Sequence, residues 1–167
     1  AGIATPLSSR SVLDDSVGAT VELTLERGGR PYTVRQVVGD LEAITPDAYV
    51  EIGDAIVHTL SYQMARHFHA PVRGAVLASS GYMFDAADVP RGAVITAVNA
   101  TPVAGVADFP AAIDGLADGE RMTVRYFTVD DPTRARVASV RIDRLWFPAR
   151  ACRRNDASGY WDCTELV

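Results

Sequence analysis

GERMTVRYFTVDDPTRARVASVRI, Gly119 to Ile142, reads as two strands around a polar turn. Met122, Val124 and Tyr126 alternate with Thr123, Arg125 and Phe127, Asp130-Asp131-Pro132 turns the chain, and Val137 to Ile142 returns. The same grammar stands 101 residues earlier in GATVELTLERGGRPYTVRQVV, Gly18 to Val38. There Val21, Leu23 and Leu25 alternate with Glu22, Thr24 and Glu26, and Arg27-Gly28-Gly29-Arg30 punctuates before Tyr32 to Val38. A short helical segment and a glycine precede each hairpin: Ser11 to Asp15 before Gly18, and Ala111 to Leu116 before Gly119. Repetition at domain-length spacing predicts tandem copies of one module. The first copy shows only its last third, so residues 1–43 are expected to be the C-terminal remnant of a preceding unit.

Between the hairpins lies the body of the complete copy, expected over residues 44–145. Asp47 to His58 alternates as one strand. Leu60, Met64 and Phe68 recur at helical spacing, with Thr59 or Ser61 as N-cap and Pro71 as stop. Gly74 to Ala78 and Gly92 to Val98 read as strands, separated by an excursion from Gly81 to Pro90. A second helix is expected after Asp108, with Pro110 in its first turn and Phe109, Ala112, Ile113 and Leu116 on one face.

Composition bounds the functional classes. A chain of 167 residues with 48% hydrophobic side chains builds a real core, and 21 acidic against 16 basic residues, scattered in sign, give no phosphate-binding surface. Nucleic acid is therefore not an expected partner. Every basic residue is arginine and none is lysine, which reads as codon bias. No apolar run approaches the roughly 18 residues a membrane span needs.

The last segment, residues 146–167, is expected to be an extension of the domain. Cys152 and Cys163 bracket RRNDASGYWD, whose Asn155, Asp156 and Gly159 favour a turn and whose Tyr160 and Trp161 suit a strand. A hairpin that sets the cysteines opposite each other makes them a candidate disulfide in an oxidising compartment; two free thiols are the other reading. Trp146, Phe147, Tyr160 and Trp161 are expected to pack this hairpin onto the domain. A metal site needs more ligands than two cysteines, or than His67 and His69 beside Phe68, can supply, so no metal is expected. Ser79-Ser80-Gly81 with His58 and Asp54 is the nearest imitation of a catalytic triad, and it lacks the turn a nucleophilic serine needs. No catalytic residue and no cofactor is expected in this chain.

The order strand, short helix, strand, loop, strand, helix, hairpin resembles the circularly permuted PDZ-like domain of HtrA-type serine proteases, and local wording agrees. Val89-Pro90-Arg91-Gly92-Ala93-Val94-Ile95-Thr96-Ala97-Val98-Asn99 is similar to a family stretch, with Ala93 in place of the usual aspartate and Ala100 in place of a glycine. Ile44 to Asp47, Leu60 to Arg66, Gly81 to Met83 and Arg153 to Asp162 resemble the tandem-PDZ branch with plant and fungal members. The resemblance implies an α+β, mainly β fold, a partly open β-barrel or sandwich with two helices, preceded by the hairpin remnant. It also implies a non-catalytic module of a larger serine endopeptidase that engages extended peptide or protein segments by strand addition.

By that resemblance the carboxylate-holding loop is Tyr49, Val50, Glu51 and Ile52. The peptide-pairing strand runs on through Gly53, Ala55 and Val57, and the groove wall is Phe109, Ala112, Ile113 and Leu116. Glu51 stands where the family carries a glycine, and its charge repels a free C-terminus. The alternative is a structural unit that positions or oligomerises the protease, its groove filled by residues 1–43 or by the C-terminal hairpin. Neighbouring domains and a second copy are then the expected partners. The compartment is left open, with a bacterial periplasmic or extracytoplasmic one favoured.

Overall fold

The computed structural model describes residues 11–147 and 149–166, in two compact units divided after Ile44. In the first, a helical turn at residues 11–14 leads to β1 (Thr20–Arg27) and β2 (Arg30–Val37), paired antiparallel around Gly28 and Gly29. Both glycines have positive φ, 59° and 76°, as a two-residue hairpin turn of this hand requires. The register sets Leu23 opposite Val34 and Leu25 opposite Tyr32, so the apolar residues gather on one face.

The second unit holds a nine-stranded sheet in the order β11-β10-β3-β4-β5-β6-β8-β9, with β7 (Thr101–Pro102) on β6. It is open, with β11 (Tyr160–Leu166) and β9 (Asp131–Arg141) at its two ends. Gly119 begins the hairpin of β8 (Arg121–Thr128) and β9 at φ 79°, as Gly18 begins the first hairpin at φ 80°. Gly119 N–H donates to Ile142 O at 2.8 Å, and Gly18 N–H donates to Val38 O at 2.9 Å. The two hairpins close in the same way at the same offset.

Central strands β5 (Ala75–Ser79) and β6 (Ala93–Val98) are apolar without alternation because both faces are covered. Leu77 and Ile95 face the main core with Ile52, Phe84, Phe109 and Met122, while Val76 and Val94 face a second cluster with Leu60, Ala65 and Phe127. Each such large side chain contributes about 1.5–3 kcal/mol by leaving water.

Three sequence expectations change. Asp47 to His58 is not one strand but a hairpin, β3 (Ala48–Ile52) and β4 (Ala55–Thr59), because Gly53 and Asp54 both take positive φ, 55° and 63°. Helix α1 (Tyr62–His67) is capped by Ser61, whose Oγ accepts Met64 N–H at 3.1 Å; Leu60 and Met64 reach the second cluster, but Phe68 lies just past the helix and is exposed, its ring edge-on to His67. The excursion after Gly81 contains a further helix, α2 (Gly81–Asp85), which buries Met83 and Phe84. Its first turn docks on the β3–β4 turn: Tyr82 and Met83 N–H both donate to Gly53 O, at 3.0 and 3.2 Å. A side chain on Gly81 would collide with the backbone of Asp54 and Ala55, so glycine is required there.

Helix α3 (Phe109–Ile113) starts after Asp108 with Pro110 in its first turn, as the sequence predicts. Asp108 itself turns its carboxylate back to Ala104 and Gly105 N–H, bracing the 3-10 turn ahead of the helix.

Candidate functional site

The reading of β3 as a peptide-accepting edge places Tyr49, Val50, Glu51 and Ile52 at its centre. They form a strand rather than a loop, and Gly53 turns the chain so that Ala55 and Val57 lie on β4, which is paired on both sides, to β3 and to β5. The one edge at which these residues could receive an extended segment is thus the outer edge of β3. That edge is occupied by β10 (Ala149–Asn155), antiparallel, in the register Arg153↔Ala48, Cys152↔Tyr49, Ala151↔Val50 and Arg150↔Glu51.

Three kinds of contact hold β10 there. Backbone pairing extends past the register, with Arg154 N–H donating to Asp47 O at 2.8 Å. Two ion pairs fix the register: Arg150 to Glu51 at 2.7 Å, and Arg153 to Asp47 at 2.9 Å. The hydrogen bond to Glu51, and then its charge, hold the Arg150 guanidinium above the usual arginine range. On the inner face Ala149 is buried, and Ala151 and Leu166 pack against the main core, which contains Ile113 and has Leu116 at its margin.

The predicted wall residues are therefore brought together, but they do not line an open groove. Phe109, Ala112 and Ile113 are buried, and Leu116 is partly buried against the same core. Between α3 and the hairpin a cavity of about 200 Å³ remains, lined by Pro110, Ile113, Arg144 and Leu166 among others. Small residues at 149 and 151 let the strand lie close over this core, and with Arg150 and Arg153 facing Glu51 and Asp47 they are the signal in the sequence for a seated strand.

The hairpin is closed by Cys152 and Cys163, register partners with Cα atoms 4.0 Å apart and sulfurs joined in a disulfide. On the outer face of the sheet Trp161 meets Tyr49 edge-on, with ring centroids 4.9 Å apart, and Phe147 lies 6.2 Å from Tyr82. The expected aromatic packing holds for these two rings only, since Trp146 and Tyr160 are each 75% exposed. Trp146 lies in the connection ahead of β10 and Tyr160 at the tip of its hairpin, where no element among the described residues covers them. Tyr49, Ile56, His58 and Trp161 border an outer hollow of about 350 Å³. His58 Nδ1 lies 2.8 Å from Thr59 O, and Ser79 ends β5 opposite Ile56.

A family model described as a PDZ-like domain matches residues 43–119. The chain is 40% identical over 163 residues to Protease Do-like 7 of Arabidopsis thaliana, covering 96% of this chain and 15% of that protein. It is 38% identical over 158 residues to the pro-apoptotic serine protease NMA111 of Vanderwaltozyma polyspora, covering 93% of this chain and 16% of that protein. It is 36% identical over 157 residues to the corresponding protein of Aspergillus fumigatus, covering 93% and 15%. The chain spans about 15–16% of the length of these relatives. All three are plant or fungal, which overturns the expectation of a bacterial periplasmic or extracytoplasmic compartment.

Proposed function

We propose that this chain, whose residues 43–119 match the PDZ-like domain model, is a non-catalytic interaction module of a Do-like serine protease, its strand-addition position filled by its own C-terminal hairpin. The observation that carries this reading is the pairing of β10 along β3, where an extended ligand would lie. The hairpin supplies what a peptide supplies: a backbone ladder, side chains against α3, and a charge partner. It also gives Glu51 a role, because the carboxylate that would repel a peptide C-terminus is paired with Arg150. In this reading the module works as a structural unit of the larger protein.

The paired closure of the two hairpins supports the companion proposal that residues 1–43 are the last third of a preceding unit of the same kind, that residues 44–145 are the complete unit, and that residues 146–167 are its plug. The test is fluorescence polarisation of the full chain against peptides in matched free-acid and amidated forms. No saturable, carboxylate-dependent binding is expected. Saturable binding that requires the free acid and shifts the amide signals of Tyr49 to Ile52 would show the hairpin yielding to a ligand and overturn the proposal.

A further inference from the structure

Seating β10 and β11 on β3 moves the open edge of the sheet outward by two strands. Arg154 N–H donates to Asp47 O, so the even-numbered residues of β10 aim their backbone groups at β3 and the odd-numbered ones at β11. With Ala151↔Thr164 and Arg153↔Asp162 in register, Asp162 and Thr164 bond back to β10. The N–H and C=O groups of Trp161, Cys163 and Glu165 then face outward along an edge that ends the sheet. At the opposite end β9 carries Arg134, Arg136 and Arg141, and α2 lies beside it, Met83 and Ala87 sharing a cavity with Ser139 and Arg141. The two edges differ in charge and in cover.

The charges beside the β11 edge follow a rule that runs across the strands. In one row Glu51, Arg150 and Glu165 stand opposite one another, acid, base, acid. In a second row Arg153 stands between Ala48 and Asp162 and reaches diagonally to Asp47, again a base between acids, and Asp162 also accepts a hydrogen bond from Asn155 Nδ2 at 3.0 Å. Arg150 and Arg153 bond inward to Glu51 and Asp47, while no ion pair among the described residues involves Asp162 or Glu165. A strand added outside β11 continues both rows if it is basic at the two positions opposite Glu165 and Asp162. These are three residues apart, as Arg150 and Arg153 are. Trp161, 45% exposed beside them, adds aromatic surface next to the edge.

We infer that the outer edge of β11 is a strand-addition site for an extended protein segment, antiparallel to β11, with basic residues at positions i and i+3. This inference rests on the proposed seating of the hairpin on β3. The added strand gains the ladder of Trp161, Cys163 and Glu165, and its two bases complete the charge rows on the two faces of the sheet.

The probe is the capped peptide Thr-Arg-Val-Thr-Arg-Val-Thr, with a version carrying glutamate for both arginines as control, titrated into the full chain and followed by amide chemical shifts and fluorescence polarisation. Saturable binding of the arginine peptide alone is expected, with shifts concentrated at Trp161, Cys163 and Glu165. Glu165→Pro removes one outward N–H and one charge while leaving the bonds of Asp162 and Thr164 to β10, and should weaken binding about tenfold. Glu165→Gln, which keeps the N–H, should weaken it about threefold. Equal binding of both peptides, no binding, or indifference to both variants overturns the inference. So does a self-associated chain by sedimentation whose edge amides are already protected, since a second copy then holds the edge. Shifts at Tyr49 and Glu51 instead of β11 would mean that the hairpin is displaced, and the seating itself fails.

Discussion

Two hairpins built to one plan meet different fates in this molecule. In β8–β9 the inward row is completely covered, with Met122, Val124, Val140 and Ile142 at 0% exposure. In β1–β2 the corresponding row is open, with Leu23 at 38%, Leu25 at 40% and Tyr32 at 41%. Both have the same apolar alternation, a turn of their own and a glycine of positive φ at the entry. The pattern in the chain therefore specifies strands, register and inward face, whereas burial is a property of what that face meets. A two-stranded ribbon alone is marginal in water, so β1–β2 by itself contributes little stability.

The contrast can be broken by mutation. The largest effect is expected at Gly81→Ala, which forces a side chain into the Asp54–Ala55 backbone and should cost about 3 kcal/mol or more in urea denaturation. Ile142→Ala in the closed hairpin should cost about 2–4 kcal/mol, measured the same way. Cys163→Ser removes the link across β10–β11, and a loss of about 2–3 kcal/mol is expected for so short a loop. Leu23→Ala in the open hairpin should cost less than about 1 kcal/mol, and a loss equal to that of Ile142→Ala would show that its face is covered after all.

How far the sequence carries can be judged at particular residues. The strands, a cap at Thr59 or Ser61, the start of α3 and the module itself were legible because each rests on local pattern or turn chemistry. The β3–β4 turn was not, because Val50 and Ile52 join Ala55 and Val57 in one apolar stretch, and only Gly53-Asp54, a recognised hairpin pair, marks the reversal. Helix α2 was hidden because it is a single turn whose position is fixed by Gly53 O, a contact remote in sequence. The predicted site residues do lie around one position, the edge of β3 and the face of α3. What fills that position comes from about a hundred residues away, and periodicity is silent about such a pairing. Arg150 opposite Glu51 and Arg153 diagonal to Asp47 carry the information, but it becomes readable only once the register is known.

The seating of β10 on β3 is tested most directly by amide hydrogen exchange at Tyr49 and Glu51. By the alternation along β10 these are the residues of β3 whose N–H groups face it. Protection of at least about a hundredfold, comparable with that of Val57 inside the sheet, is expected. Exchange at Tyr49 and Glu51 as fast as at the outward amides of Trp161, Cys163 and Glu165 would contradict the account, because β3 would then be an open edge.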